Sequence, residues 1–365
     1  MIMSIKPVGV QGVWDIEVEE DHSYVAHGFI NHNSSNPNLQ NIPNKGGGKI
    51  KRMYVSRFGD DGMLVQADFS QVELRIAACH YDEPVLIDAY NAGEDLHALT
   101  ASRVMGISLK KYKQLPDKEQ KKWRTRAKRL NFGVLYGGGP PALIKTLRKD
   151  GVFITHDEAQ GMIDAFFKAY PSLRMNILRQ QRQVQDDGYL TSFTGRRRRV
   201  PEVKNQNEAL AAHALRQSVN FPIQSGASDM TLMSLILLDE ALADAGYTSK
   251  TILTVHDSIV FDVVRDELVG VSQLAKEIME NLPAYAETVL PGLDWEWLRV
   301  PILADFESGR SWGSLVSFDP AVLKDTHKKR KGYKQLLVKD AVPKTVGEIE
   351  YLMDQKHYST GDGTA

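Results

Sequence analysis

Two apolar runs, each delivering an aspartate at its end, constrain this chain more than any other feature. In "LVQADFSQVELR" a strand-like run brings out Asp68 and then gives way to a helical pattern. In "TVHDSIVFDV" Asp257 falls at the turn between two strand-like runs, "TILTVHD" and "IVFDVV". A lone Asp at such a place is ordinarily a turn former or a cap. Two of them on one sheet can instead converge on hard divalent cations, because Mg²⁺ accepts a few carboxylates together with phosphate oxygens. A pair of ions about 3.5–4 Å apart can activate a hydroxyl and stabilise a leaving pyrophosphate.

Between these runs lies "KKWRTRAKRLNFGVLYGG". Six of the nine residues from Lys121 to Arg129 are basic. Arg124 and Lys128 are four apart, so they share a helix face that can grip a triphosphate. Phe132 stands one turn further on, and Tyr136-Gly137 reads as a glycine helix stop. A solvated basic face with a core aromatic is the competing reading.

Composition excludes several classes. The chain has 365 residues, 42% hydrophobic and 25% charged, which suits two or three ordinary domains. A net charge of -1 gives no global sign of a polyanion binder, so any such site must be local. One cysteine, Cys79, excludes an internal disulfide and a cysteine-rich zinc site, and is expected to be a buried thiol. No apolar run reaches membrane-spanning length, and "MIMSIKPVGV" lacks a signal-peptide pattern. No membrane partner and a cytoplasmic location are therefore expected.

The periodicity divides the chain into four stretches. Residues 1–33 are short β-type runs, "GVWDIEVEE" and "HSYVAHGFI", about a turn at Glu20-Asp21. Residues 34–81 are mixed, and 82 to about 205 are helical and basic. Residues 206–314 predict one helix through "EALAAHALRQSV", a second through "GASDMTLMSLILLDEALADAG", and then the hairpin-like pair. Beyond Trp312 the pattern decays. "HKKRKGYK" is a charge run, "TVGEIEYLMDQK" fits one helix, and "STGDGTA" is expected to be disordered.

His32-Asn33-Ser34 brings three complementary groups together. An asparagine amide can attack its own carbonyl and cleave the following bond. An imidazole can supply the proton, and a hydroxyl on the next residue can accept an acyl group. Alone, the triplet is ordinarily a polar loop. With the preceding "VWDIEVEEDHSYVAHGFINHN" it resembles the C-terminal segment of inteins, with Asp15, His22 and the His32-Asn33 pair at matching positions. The resemblance implies a small all-β segment, 1–33, from the C-terminal half of a split intein. The partner would be an N-terminal host fragment carrying the N-terminal intein half.

From Ser34 to about Trp312 the chain resembles the family A DNA polymerases. "DFSQVELR", "RTRAKRLNFGVLYG" and "VHDS" match the first palm motif, the fingers helix and the second palm motif. "SSNPNLQNIP", "DLHALTA" and "LRQSVNFPIQSGASD" match in family order. The resemblance implies an α+β polymerase domain at 34–314, with an antiparallel palm sheet and helical fingers at about 82–205, followed by a partly disordered tail at 315–365. It implies DNA synthesis on primer–template DNA from deoxynucleoside triphosphates with two Mg²⁺ ions.

Carried over by position, Asp68 and Asp257 would be the metal ligands, assisted by the Phe69 carbonyl. Arg124 and Lys128 would contact the triphosphate, with Lys128 able to protonate pyrophosphate. Gln71 and His97 would help hold the nucleotide, and Glu73 would exclude a ribose 2′-OH. Phe132 would lie near the sugar and Tyr136 by the templating base. Arg216, Asn220 and Gln224 would reach the DNA minor groove, and His256 the primer end. "GRRRR" at 195–199 is either a phosphate patch or a solvated turn. Ser258 stands where the family often has Glu, so no third carboxylate is expected there. The family's arginine before "SS", a thumb and an exonuclease domain are not expected in this chain, so activity is expected only with the N-terminal partner. A single-subunit RNA polymerase, which Glu73 disfavours, and a decayed DNA-binding fragment are the alternatives.

Overall fold

The structure, a computed structural model, describes residues 2–8, 13–18, 24–26, 29–31, 50–324 and 343–358, with side chains within 50–324 and 343–353. The segments Glu20-Asp21, His32 to Pro43, "HKKRKGYK" and "STGDGTA" lie outside the described residues. The strands are β1 (Ile2–Val8), β2 (Val13–Val18), β3 (Tyr24–Ala26), β4 (Phe29–Asn31), β5 (Gly62–Phe69), β6 (Tyr189–Thr191), β7 (Arg197–Arg199), β8 (Lys250–Val255), β9 (Ser258–Val264), β10 (Ala304–Gly309) and β11 (Val316–Phe318). The helices are α1 (Val72–His80), α2 (Pro84–Asn91), α3 (Leu96–Val104), α4 (Leu109–Tyr112), α5 (Asp117–Leu135), α6 (Pro140–Lys149), α7 (His156–Ala169), α8 (Pro171–Asp187), α9 (Glu208–Asp244), α10 (Leu268–Glu280), α11 (Leu282–Tyr285) and α12 (Val346–Tyr358). The architecture is α+β, with helices and an antiparallel sheet. No described helix is long and apolar enough to cross a membrane.

The chain forms two compact units. The first takes in residues up to Ser70, Met230–Gly292 and everything from Ile302, and the second Gln71–Asp229 with Leu293–Pro301. The first unit holds a five-stranded sheet of order β11-β10-β5-β9-β8, antiparallel throughout. Its central strand β5 is buried along most of its length because both neighbours and α10 cover it. Leu64, Val260 and Trp312 form one core cluster, and each such buried side chain contributes roughly 1.5–3 kcal/mol. The Trp312 indole N–H donates to Gln66 Oε1 at 2.7 Å, and Lys51 Nζ lies 4.0 Å from the centroid of the same ring.

Two elements extend the first unit beyond the decay of the sequence pattern. Strand β11 pairs with β10, and α12 seals Val346, Ile349 and Met353 against these strands. The Arg265 guanidinium pairs with Glu350 of α12. The predicted helix near "TVGEIEYLMDQK" is thus present. Strand β11 was not legible, because three residues are too few to show a period.

The second unit is helical, with one hairpin, β6–β7. Here the structure corrects the sequence reading of two helices around "NFPIQSG": α9 is a single 37-residue helix with Pro222 inside it. A proline lacks the N–H that would bond the carbonyl four residues back. That carbonyl, on Ser218, instead accepts from Gln180 Nε2 at 3.1 Å, and the next, on Val219, accepts from the Tyr81 hydroxyl at 3.0 Å. Side chains from α8 and the end of α1 supply what the proline removes, so the helix continues.

Candidate active site

In the first unit, β5 and β9 bring the two sequence-predicted aspartates to one end of the sheet. The register pairs Asp68 with Ser258, and the Phe69 N–H donates to the Asp257 carbonyl at 3.1 Å. His256, in the turn between β8 and β9, has φ 57°, a left-handed conformation that a non-glycine residue adopts at a cost. The turn thereby presents Asp257 beside Asp68, close enough for each carboxyl to act on the other. Burial lifts Asp68 above the usual carboxylate range, and Asp257 and Asp305 push it the same way. Burial also raises Asp257, against its own backbone hydrogen bond and the nearby His256. Ser258 turns its hydroxyl to the Val255 carbonyl at 2.9 Å and supplies no charge.

A cavity of about 580 Å³ opens beside Asp68, with Gln66, Asp305, Glu307, Lys276 and Asp319 on its walls. Asp305 lies directly across the ladder from Asp68, and Glu307 across from Gln66. These two acids were missed in the sequence. Their signal was the alternation of "ADFES", in which Ala304, Phe306 and Ser308 are buried and the acids point the other way. Among the described residues, no three His, Cys, Asp or Glu side chains converge as a metal cage.

In the second unit, α5 carries Arg124, Lys128 and Phe132 at helical spacing, with Tyr136 as its C-cap. Arg124 and Lys128 are exposed, while Ala127, Leu130, Asn131 and Val134 are buried. Asp117 and Glu119 sit in the first turn, where the helix dipole favours anions. Arg124 Nε pairs with Asp95 Oδ2 at 2.6 Å, and Asp95 also caps α3 through the His97 and Ala98 N–H groups. His97 is buried and bonded through Nδ1 to Asn131 Nδ2 at 3.0 Å. Burial, with the charges of Arg124 and Lys128, lowers His97 to about 4 against the opposing pull of Asp95, so it is neutral at pH 7. Its neutral ring therefore acts as a hydrogen-bonding group rather than as a cation.

The end of α5 is a tight glycine stop. Gly138 N–H donates to the Gly133 carbonyl at 2.8 Å and Gly137 N–H to Val134 at 2.9 Å, the Schellman arrangement. Gly137 has φ +67° and lies against Arg216, where a Cβ would stand 3.2 Å from the Arg216 Cβ. The Tyr136 hydroxyl donates to Glu73 of α1. Tyr136, Gly137, Arg216 and Asn220 border a cavity of about 570 Å³ in this unit. The Asn220 side-chain oxygen is buried with no hydrogen-bond partner. Gln71, in the left-handed region at φ 55°, starts α1 and accepts from the Tyr90 hydroxyl at 3.5 Å. Gln224 is exposed on α9. The structure thus brings Asp68, Phe69, His256 and Asp257 together in one unit. It groups Glu73, Tyr136, Arg216 and Asn220, and likewise His97, Arg124 and Phe132, in the other. Cys79 is a buried free thiol, as expected.

Residues 24–314 match the model of DNA polymerase family A. The DNA polymerase of Bacillus phage SP01 is 38% identical over 302 residues, covering 80% of this chain and 31% of that protein. DNA polymerase I of Streptococcus pneumoniae (strain ATCC BAA-255 / R6) is 35% identical over 281 residues, 76% of this chain and 29% of that protein. The chain thus spans about a third of the length of these curated relatives. Among solved structures, the POL domain of Pol1 from M. smegmatis, in complex with DNA primer-template and dNTP, superposes with a TM-score of 0.65 at 31% identity, over 78% of this chain and 46% of that one. The paired strand-end aspartates, the basic helix with its glycine stop and the match over 24–314 lead to one assignment: this chain belongs to DNA polymerase family A, as a C-terminal portion of it.

Proposed function

We propose that the chain carries the nucleotidyl-transfer machinery of a DNA-directed DNA polymerase. The observation that carries this reading is the Asp68–Asp257 pair at one end of β5 and β9 in a family A chain. The donor set suits Mg²⁺: two carboxylates and the Phe69 carbonyl are hard oxygen ligands, and waters and phosphates complete such a shell. The two carboxyls press like charges together in partial burial, which bound dications offset. When bound, the two Mg²⁺ ions supply activation of the primer 3′-hydroxyl and charge stabilisation for the leaving pyrophosphate.

The chain's own groups do the rest. Arg124 and Lys128 neutralise the triphosphate, and Lys128 gives a proton to the departing pyrophosphate. Arg124 exchanges Asp95 for phosphate as the nucleotide binds. Gln71 and His97 support the nucleotide, Phe132 lies along its sugar, and Glu73, held by the Tyr136 hydroxyl, denies room to a ribose 2′-OH. Tyr136 stands by the templating base, Arg216, Asn220 and Gln224 follow the minor groove, and His256 adjoins the primer end. Asp68→Ala or Asp257→Ala in the assembled polymerase is expected to abolish primer extension and spare DNA binding. Extension at near wild-type rates by either variant in Mg²⁺ would refute the assignment.

We further propose that residues 1–33 act in trans-splicing with an N-terminal polymerase fragment, Ser34 accepting the acyl group and Asn33 cyclising with help from His32. The short antiparallel ladders β1–β2 and β3–β4 support this reading. Mass spectrometry of the mixed halves tests it. Loss of residues 1–33 with ligation at Ser34 is expected, and an unchanged 365-residue chain would sink the idea.

A further inference from the structure

Helix α9 presents two faces of different character. Arg216, Asn220 and Gln224 recur every four residues and line one of them. Ser218, Val219, Pro222, Ile223 and Gly226 are all buried and line the other. Pro222 falls between Asn220 and Gln224, so the backbone ladder is interrupted within the polar row itself. It has no N–H for the Ser218 carbonyl, and a proline inside a helix ordinarily opens a kink there. A kink rotates the residues after it relative to those before it. For Arg216, Asn220 and Gln224 that rotation decides whether they act on one surface.

The gap is closed by a side chain from α8. Gln180, only 6% exposed, donates from Nε2 to the Ser218 carbonyl at 3.1 Å and to the Val219 carbonyl at 3.3 Å. An amide oxygen turned to two carbonyls would meet only acceptors, so the orientation of the Gln180 amide is fixed. Its Oε1 therefore faces His80 Nε2 at 2.9 Å, and that nitrogen carries a proton. One neutral tautomer and the imidazolium both hold a proton there, so His80 orients Gln180 in either charge state. The Tyr81 hydroxyl brings a second donor to the Val219 carbonyl at 3.0 Å, and burial pushes the phenol up, which keeps it protonated. Asn176 Nδ2 donates to the Tyr81 carbonyl at 2.6 Å and ties the end of α1 to α8. Any residue with an N–H at position 222 would serve the Ser218 carbonyl within the helix. The arrangement with Pro222 instead ties α9 sideways to α8, between Asn220 and Gln224.

We infer that Gln180 is a positioning residue: it stands in for the N–H that Pro222 lacks and holds Arg216, Asn220 and Gln224 in one helical phase, so that the three engage a single stretch of primer–template DNA. This rests on the polymerase reading above, which gives those three residues to DNA. The test is a double-mutant cycle between Gln180 and Pro222 in the assembled polymerase, read by fluorescence anisotropy of a labelled primer–template. Q180L keeps the bulk of the side chain and removes the donor. The Ser218 carbonyl is then buried without a partner, the helix opens there, and only a fraction of molecules keep the binding phase. Apparent affinity falls with that fraction, by roughly 3- to 10-fold. P222A returns the N–H, so Q180L/P222A is expected to bind within about 2-fold of P222A alone. Y81F removes the donor to Val219 alone and serves if Q180L folds poorly, with a smaller loss of the same kind.

In steady-state extension, Q180L is expected to raise KM for primer–template and leave kcat unchanged, whereas partial unfolding would lower kcat at constant KM. Unchanged affinity in both Q180L and Y81F overturns the positioning role. So does a loss from Q180L that is equal with and without P222A. R216A and Q224A separate the two levels of the argument. If neither weakens binding, the assignment of this face to DNA fails and the inference fails with it. If both weaken binding and Q180L does not, the inference alone fails.

Discussion

The three glycines after Tyr136 look interchangeable in the sequence, yet the structure assigns each a different cost. At Gly137 an alanine must adopt the left-handed conformation, at about 1–2 kcal/mol, and its Cβ presses on Arg216 at 3.2 Å. A total near 2 kcal/mol follows. At Gly138 a Cβ would stand 2.6 Å from the Gly133 carbonyl oxygen, a backbone atom at the end of α5 that accepts the Gly138 N–H. Relief requires breaking the bond that closes the helix, and the carbonyl loses its partner. That adds about 1–3 kcal/mol to a strain of similar size, for a total near 3 kcal/mol. At Gly139 the nearest atom is Pro141 Cδ at 3.9 Å, and α6 starts there with no side-chain cap. Gly139→Ser is therefore expected to lie within about 0.5 kcal/mol of wild type, on the stabilising side if the hydroxyl caps α6. Urea denaturation followed by circular dichroism gives the three values. Single-nucleotide incorporation should fall in the same order, because this stop fixes Tyr136 and Arg216. Equal costs at all three positions, or a Gly139→Ser variant as damaged as Gly138→Ala, would show that the run serves as a flexible joint and refute the close-packing argument.

Other perturbations have equally definite outcomes. The folded chain holds Asp68 and Asp257 above the ordinary carboxylate range, so their contribution to stability is full below the unfolded value of about 4 and is lost as pH rises through the raised range. In chelator, Asp68→Asn should flatten the decline in stability between about pH 4 and 8; an unchanged decline would show that the pair is not the cause. Glu73→Ala frees the Tyr136 hydroxyl and should raise ribonucleotide incorporation in competition assays, whereas an unchanged sugar preference would remove Glu73 from that role. Trp312→Phe loses the indole bond to Gln66 and weakens the Lys51 contact, at about 1.5–3 kcal/mol. A loss below about 0.5 kcal/mol in urea melts would show that Gln66 finds another donor.

What could be read from the sequence was local and periodic. The strand ending at Asp68, the hairpin around Asp257 and the glycine stop after Tyr136 depend on neighbours in the chain, and all three are present. What could not be read depends on residues far apart. Pro222 reads as a helix end because nothing nearby shows that Gln180 and Tyr81 will serve the carbonyls it leaves exposed. Asp305 and Glu307 stand beside Asp68 and Gln66 only through ladder pairing across more than two hundred residues. The ion pair that Arg196 makes waits on a carboxylate, Asp229 of α9, that no spacing rule ties to it.

On the proposed metal role, the pairing of β5 with β9 also makes cation affinity a report on folding accuracy. Asp68 faces Ser258 in the native ladder. A one-residue slip would turn Asp68 to the opposite face of the sheet, and a two-residue slip, which preserves the faces, would carry it about 7 Å along the strand. Neither error leaves the two carboxyls adjacent. A mispaired sheet that buries nearly the same apolar surface would not form the proposed ion site, so a dication bound there would stabilise only the correctly registered chain. With the proposed metal role, Mg²⁺ would be a selective agent during folding as well as in the proposed reaction, and refolding yield would depend on it most in sequences where β5 pairs least precisely.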